Sequence, residues 1–211
     1  EDAAIPVLIA MKGHPATGKS TVSRMLAAIL RIPLIDKDNV RDSTLLLQID
    51  PTRLNDLSYD VIFKIAATQL KLGLSVIVDS PLSNKAHLER LVELVYASKA
   101  RLLVVECQTW DEHVWRDRLE RRGRGHGEGA SWHKPATWQD MQRLLEKYGG
   151  CTEYDVGNVP KLVVDTTASA ELPAIVSSIA DFVRSPAEEW EIAIDDLKKS
   201  KLHKGPPVVR T

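Results

Sequence analysis

The residues Gly13-His14-Pro15-Ala16-Thr17-Gly18-Lys19-Ser20 read G-x-x-x-x-G-K-S, the pattern of a loop that wraps a polyphosphate. A phosphate chain needs many donors at short range. Gly13 and Gly18 let the backbone curl and approach without a Cβ in the way, and successive N–H groups then converge on the anion. A helix opening near Lys19 adds the positive end of its dipole. In this arrangement Lys19 bridges the β- and γ-phosphates of a triphosphate, Ser20 ligates Mg²⁺, and Thr21 continues the contact. Phosphoryl transfer asks for more than a cradle: a base, cations over the transferring group, and exclusion of water. Asp38 is the candidate base for a substrate hydroxyl. Asp36 is a candidate for substrate or for Mg²⁺ through water, and Arg41 for clamping an anionic or polyhydroxyl substrate. Asp79 is a candidate for Mg²⁺-bound water or substrate. Arg118, Arg121, Arg122 and Arg124 stand where a lid would start, and Arg118 and Arg122 share a helix face at i, i+4.

These residues need elements to hold them. The apolar run 5–11 suits a buried strand, and 21–30 repeats its apolar residues at helical spacing. Residues 32–35 read as a second strand. A short helix over 39–48 follows, with Asp38 as its expected cap and Arg41 one turn on. Pro51 is expected to break the chain before a long helix over 57–72, buried along Leu57, Val61 and Ile65 and stopped by Gly73. Strands at 75–79, 101–107 and 161–165 alternate with helices over 84–98, from Asp111, over 138–148 and from Leu172. Such alternation implies a parallel sheet covered on both faces, with ligands at the carboxyl ends of its strands. The glycine-dense, basic stretch 121–129 reads as a loop. Ser185-Pro186-Ala187-Glu188 is a capping box that predicts a further helix bearing Trp190, Ile194 and Leu197.

Composition narrows the class. The chain has 211 residues, 44% hydrophobic and 27% charged, with a net charge of −1. That suits one α/β domain and offers no global attraction for nucleic acid. No apolar run approaches the roughly 20 residues of a membrane span. Two cysteines, Cys107 and Cys151, make neither a disulfide framework nor a zinc site. His126 and His133 read as lid surface rather than metal ligands. The expected compartment is reducing and cytoplasmic, or an organelle if a transit peptide preceded Glu1.

With Gly13–Ser20, Ile35-Asp36-Lys37-Asp38-Asn39-Val40-Arg41, Val76-Ile77-Val78-Asp79-Ser80 and Arg118-x-x-x-Arg122, the chain resembles the P-loop small-molecule kinases. That group includes polynucleotide kinase, chloramphenicol phosphotransferase, zeta toxin, gluconate kinase and shikimate kinase. The resemblance covers about residues 5–184. It implies a three-layer fold with a five-stranded parallel sheet in the order 2-3-1-4-5 and helices on both faces. It also implies a mobile lid at about 122–137 and adenine near Asp165, Thr166 and Thr167. In the polynucleotide kinase branch a D-x-x-R pattern supplies the base and a substrate-phosphate arginine, which match Asp38 and Arg41. Asp79-Ser80-Pro81-Leu82 departs from the glycine run of shikimate kinases and the Glu-Arg-Ser of deoxynucleoside kinases, so neither acceptor is implied. Asn84-Lys85-Ala86-His87 lacks the Asp of a guanine signature, which favours ATP. The leading expectation is an ATP- and Mg-dependent kinase (residues 1–184, then a C-terminal helix and flexible tail over 185–211). It transfers the γ-phosphoryl group to a hydroxyl of a nucleoside, sugar or polyol. The alternatives are a 5′-hydroxyl polynucleotide kinase, which the neutral charge disfavours, and a non-catalytic nucleotide-binding interaction protein.

Overall fold

β1 (Val7–Lys12) is buried along its whole length, as a strand covered on both faces must be. In the computed structural model, residues 5–44, 47, 50–124, 134–150, 152–168, 171–185 and 209–210 are described. After β1 come α1 (Lys19–Leu30), β2 (Leu34–Asp36), α2 (Lys37–Ser43), α3 (Pro51–Lys71), β3 (Val76–Asp79), α4 (Lys85–Ala97) and β4 (Arg101–Gln108). They are followed by α5 (Glu112–Arg124), α6 (Trp138–Tyr148), β5 (Lys161–Asp165), α7 (Leu172–Arg184) and β6 (Val209–Arg210).

The sheet is parallel throughout, in the order β2-β3-β1-β4-β5-β6. Its first five strands follow the expected order; two residues, Val209 and Arg210, add a sixth that pairs with the otherwise open edge of β5. Alternation along β1 divides the core. Leu8 and Ala10 pack with Tyr59, Ile62, Phe63 and Leu91 of α3 and α4. Val7, Ile9 and Met11 pack with Leu26, Val176 and Ile179 of α1 and α7. Cys107 lies in the second layer, where burial pushes its thiol up to about 12.

Several expectations need correction. The stretch 121–129 reads as a loop with a lid from about 122, yet residues 121–124 form the last turn of α5. Pro51 begins a helix rather than breaking the chain. Asp50 caps α3 by accepting from the N–H groups of Thr52 and Arg53, and a proline at the first helical position sacrifices no hydrogen bond. The buried stripe of α3 runs along Leu54, Ser58, Ile62, Ala66 and Leu70 rather than Leu57, Val61 and Ile65, and Ile65 points outward at 41% exposure. Asp36, not Asp38, caps the short helix α2, whose range is 37–43 rather than 39–48; the Asp36 carboxylate accepts from the Asp38 N–H at 2.9 Å. Along α6 only Met141 is fully buried. Among the described residues no helix is long and apolar enough to cross a membrane. Residues 125–133 of the expected lid, Cys151 and the expected helix at Trp190, Ile194 and Leu197 lie outside the described residues.

Candidate functional site

The loop after β1 has the backbone that its glycines foretell. Gly13 takes φ 136 and Gly18 φ 82. A Cβ on Gly13 would sit 2.3 Å from the Cys107 carbonyl oxygen, so no larger residue fits there. Ala16 also has positive φ, at 63. Thr17 Oγ1 and Lys19 Nζ both donate to the His14 carbonyl at 2.8 Å, and Gly18 caps the start of α1. Lys19 is buried, and desolvation lowers its pKa against the pull of Asp79.

The loop is buttressed from α5 and α6. Trp115 donates its indole N–H to the Pro15 carbonyl at 2.9 Å. The His14 ring lies between Trp115 and Tyr148, with centroids 6.0 and 6.3 Å away. Burial first, then Lys12 and Lys19, lower the His14 pKa, which keeps the ring neutral at pH 7.

A cavity of about 1470 Å³ opens over the strand ends. Its wall carries Lys19, Ser20 and Thr21 of α1, Asp38 and Arg41 of α2, Asp79 of β3, and Arg118 and Arg122 of α5. That volume exceeds the roughly 300–1,000 Å³ of a single small-ligand pocket and leaves room for a nucleotide and a second compound. Asp79 ends β3 almost fully buried, and Ser23 donates to its Oδ2 at 3.0 Å. Asp36 faces Asp79 across the β2–β3 register. Burial and then Asp79 raise the Asp36 pKa. Asp36 is not on the cavity wall, because its side chain turns back to cap α2.

Arg118 donates to Thr166 twice, at 2.9 Å to Oγ1 and 2.7 Å to the carbonyl, and Thr166 Oγ1 donates to the Thr17 carbonyl. Arg118 is thereby tied to the phosphate loop. Arg122 instead donates to the Pro135 carbonyl at 2.9 Å. Asp165 lies off the cavity wall and accepts from the Thr167 and Trp110 backbone, ordering the turn beyond β5. Of the loop residues, Pro15, Ala16, Gly18, Lys19 and Ser20 line the main cavity. Gly13, His14 and Thr17 line a smaller one of about 500 Å³ on the far side of the loop.

Several wall residues escaped the sequence reading. Lys37 and Arg41 both donate to Asn55 Oδ1, at 3.0 and 3.2 Å. Lys37 lies over the Tyr59 ring, which stacks on His87 at 3.6 Å between centroids. Desolvation lowers Lys37 to about 8 and His87 to about 4. Asn55 and Tyr59 of α3 both line the cavity, and Asn55 is helical because α3 starts at Pro51; the Asp50-Pro51 start was the available signal. Lys134 pairs with Asp38 at 2.5 Å, a contact between segments that spacing does not connect.

A parallel sheet in this order, with a glycine loop between β1 and α1 and acids at the ends of β2 and β3, defines a P-loop nucleotide-binding fold of the kinase type. The chain belongs to the AAA domain family AAA_33, whose model matches residues 8–148. Its fold is similar to that of a candidate kinase from Chloroflexus aurantiacus J-10-fl, at 24% identity and TM-score 0.62, over 85% of this chain and 97% of that one. A gluconokinase from Sinorhizobium meliloti 1021 aligns at 20% identity and TM-score 0.55, over 93% and 98% of the two chains. A shikimate kinase from Bacteroides thetaiotaomicron aligns at 14% and 0.57, over 85% and 99%. No curated protein sequence matches the chain.

Proposed function

We propose that the protein is an ATP- and Mg-dependent kinase that transfers the γ-phosphoryl group to a hydroxyl of a small metabolite, a nucleoside, sugar or polyol. The observation that carries this reading is the shared cavity. Asp38, in the first turn of α2, lines the same space as Lys19 and Ser20, so an acid and the phosphate loop share one cavity.

The loop from Gly13 to Thr21 would bind the triphosphate, with Lys19 leaving the His14 carbonyl for the β- and γ-phosphates. Arg118, held by Thr166, would lie along the nucleotide, and Arg122 would neutralise charge on the transferring group. Asp38 would accept the proton of the acceptor hydroxyl, and Arg41 would orient the acceptor. The donor set fits Mg²⁺. Ser20 and Asp79, a hydroxyl and a carboxylate, share the cavity wall, the kind of hard oxygen donors that complete a Mg²⁺ shell made mostly of phosphates and water. Ser20 and Asp79 would hold it, with Asp36 behind Asp79; when bound it would neutralise phosphate charge. The similarity to gluconokinase and shikimate kinase folds supports the class and leaves the acceptor open.

The test is to incubate the protein with ATP, Mg²⁺ and a metabolite library and search by mass for an added phosphate. Phosphorylated product that disappears in Lys19→Ala supports the reading. ATP binding with no product from any alcohol would refute it.

A further inference from the structure

The segment 134–137 leads from the lid region into α6 and is pinned at both ends. Arg122 Nη2 donates to the Pro135 carbonyl at 2.9 Å. Gly123 lets Ala136 lie flush on α5, since a Cβ there would come within 2.3 Å of the Ala136 oxygen. Beyond it, Thr137 and Asp140 form a capping box that fixes the first turn of α6. Held this way, Lys134 places its ammonium 2.5 Å from Asp38 Oδ2 on the wall of the main cavity.

An ion pair whose side chains are 26% and 24% exposed adds little to stability, so its position is the informative feature. Asp38 stands amid cations from several elements: Lys37 on its own helix, Lys19 from α1, Arg122 from α5 and Lys134 from the strap. Lys37 is engaged with Asn55, Lys19 with the phosphate loop and Arg122 with Pro135. The Lys134 ammonium pairs directly with the Asp38 carboxylate.

The geometry points to Lys134 as a further catalytic residue, its ammonium bridging Asp38 and the transferring phosphoryl group and holding base and phosphorus in line. The inference rests on the kinase reading above. An ammonium carries three donors, enough to hold a carboxylate oxygen and a phosphoryl oxygen together. In the step itself, the acceptor oxygen forms its bond to the γ-phosphorus as the bond from that phosphorus to the β,γ-bridging oxygen breaks. The hydroxyl proton passes to Asp38, ADP leaves with the bridging oxygen, and Lys134 keeps its proton throughout. As Asp38 becomes neutral, the ammonium's pull passes to the phosphoryl oxygens.

The experiment measures Mg·ADP affinity with and without aluminium fluoride, a mimic of the transferring phosphoryl group, for the full chain and for Lys134→Gln and Lys134→Arg. The wild type tightens when aluminium fluoride is added. Lys134→Gln loses about 10- to 100-fold of that tightening with Mg·ADP affinity unchanged, and Lys134→Arg recovers most of it. Full tightening in Lys134→Gln overturns the proposal. So does an equal loss in both variants accompanied by weaker Mg·ADP binding, which marks a strap anchor only. A wild type that binds Mg·ADP but does not tighten with aluminium fluoride, and phosphorylates no alcohol, refutes the kinase reading and this inference with it. A wild type that transfers phosphate while Lys134→Gln tightens normally refutes the inference alone.

Discussion

Substituting Gly123 by alanine separates site geometry from fold stability. Gly123 lies within α5, and an added Cβ would sit 2.3 Å from the Ala136 oxygen and 3.0 Å from its carbonyl carbon. An ordinary carbon–oxygen contact is about 3.3 Å, so the strap must retreat by roughly 1 Å. Three terms act on stability. Alanine gains up to about 1 kcal/mol over glycine in helix propensity. Loss of the Arg122–Pro135 hydrogen bond costs about 1.5 kcal/mol, and loss of the Lys134–Asp38 pair, about a quarter exposed, about 0–1 kcal/mol. The balance is a loss of about 1 kcal/mol, a fall in Tm of about 2–4 °C for a chain of this size. Catalysis is less forgiving, because a 1 Å misplacement costs on the order of 100-fold. Thermal denaturation and transfer to an acceptor recovered from the metabolite screen, run side by side, are expected to show a near-normal Tm and turnover reduced about 100-fold. Turnover within twofold of wild type would refute the strap's role. A fall in Tm beyond about 10 °C would show that the strap is needed for the fold.

Asp38→Asn is expected to lower transfer at least about 100-fold while ATP affinity, measured by calorimetry, stays within twofold; full turnover would remove Asp38 as the base. Trp115→Phe keeps an aromatic side chain but removes the indole N–H that donates to Pro15, and ATP affinity is expected to weaken about 5-fold, read by titration. Glu106 is held between Lys12 at 2.6 Å and Lys161 at 3.1 Å. Burial alone would raise its pKa, but the two ammonium groups hold it below the ordinary glutamate value. A carboxylate depressed in the folded state stabilises the fold above its unfolded pKa of about 4.3, and that contribution disappears as pH falls through the folded value. Urea denaturation is therefore expected to show wild-type stability dropping below about pH 4. Glu106→Gln is expected to lose about 3–5 kcal/mol at pH 7 and to flatten that acid dependence.

The sequence by itself determined the phosphate loop and the strand–helix alternation, while the order of the first five strands was implied only by the family resemblance. The first two rest on local rules: glycine at positive φ and apolar periodicity. It also marked Asp38, Arg41, Asp79, Arg118 and Arg122, each at the end of a strand or on one helix face, and all five line one cavity. Pro51 reads as a breaker in the sequence, but with Asp50 as its cap it is a first helical residue, so α3 starts before its apolar period suggests. Only the tertiary structure separated Asp36 from the cavity wall, because whether an acid caps a helix or faces a ligand depends on the turn that follows it. Only the tertiary structure brought Lys134 to Asp38, Lys37 to Asn55 and Trp115 to Pro15. Those pairs are 96, 18 and 100 residues apart in the chain, far beyond the few residues over which a helix or strand period carries information. Long-range side-chain meetings follow from how the layers pack, and packing is a property of the whole molecule.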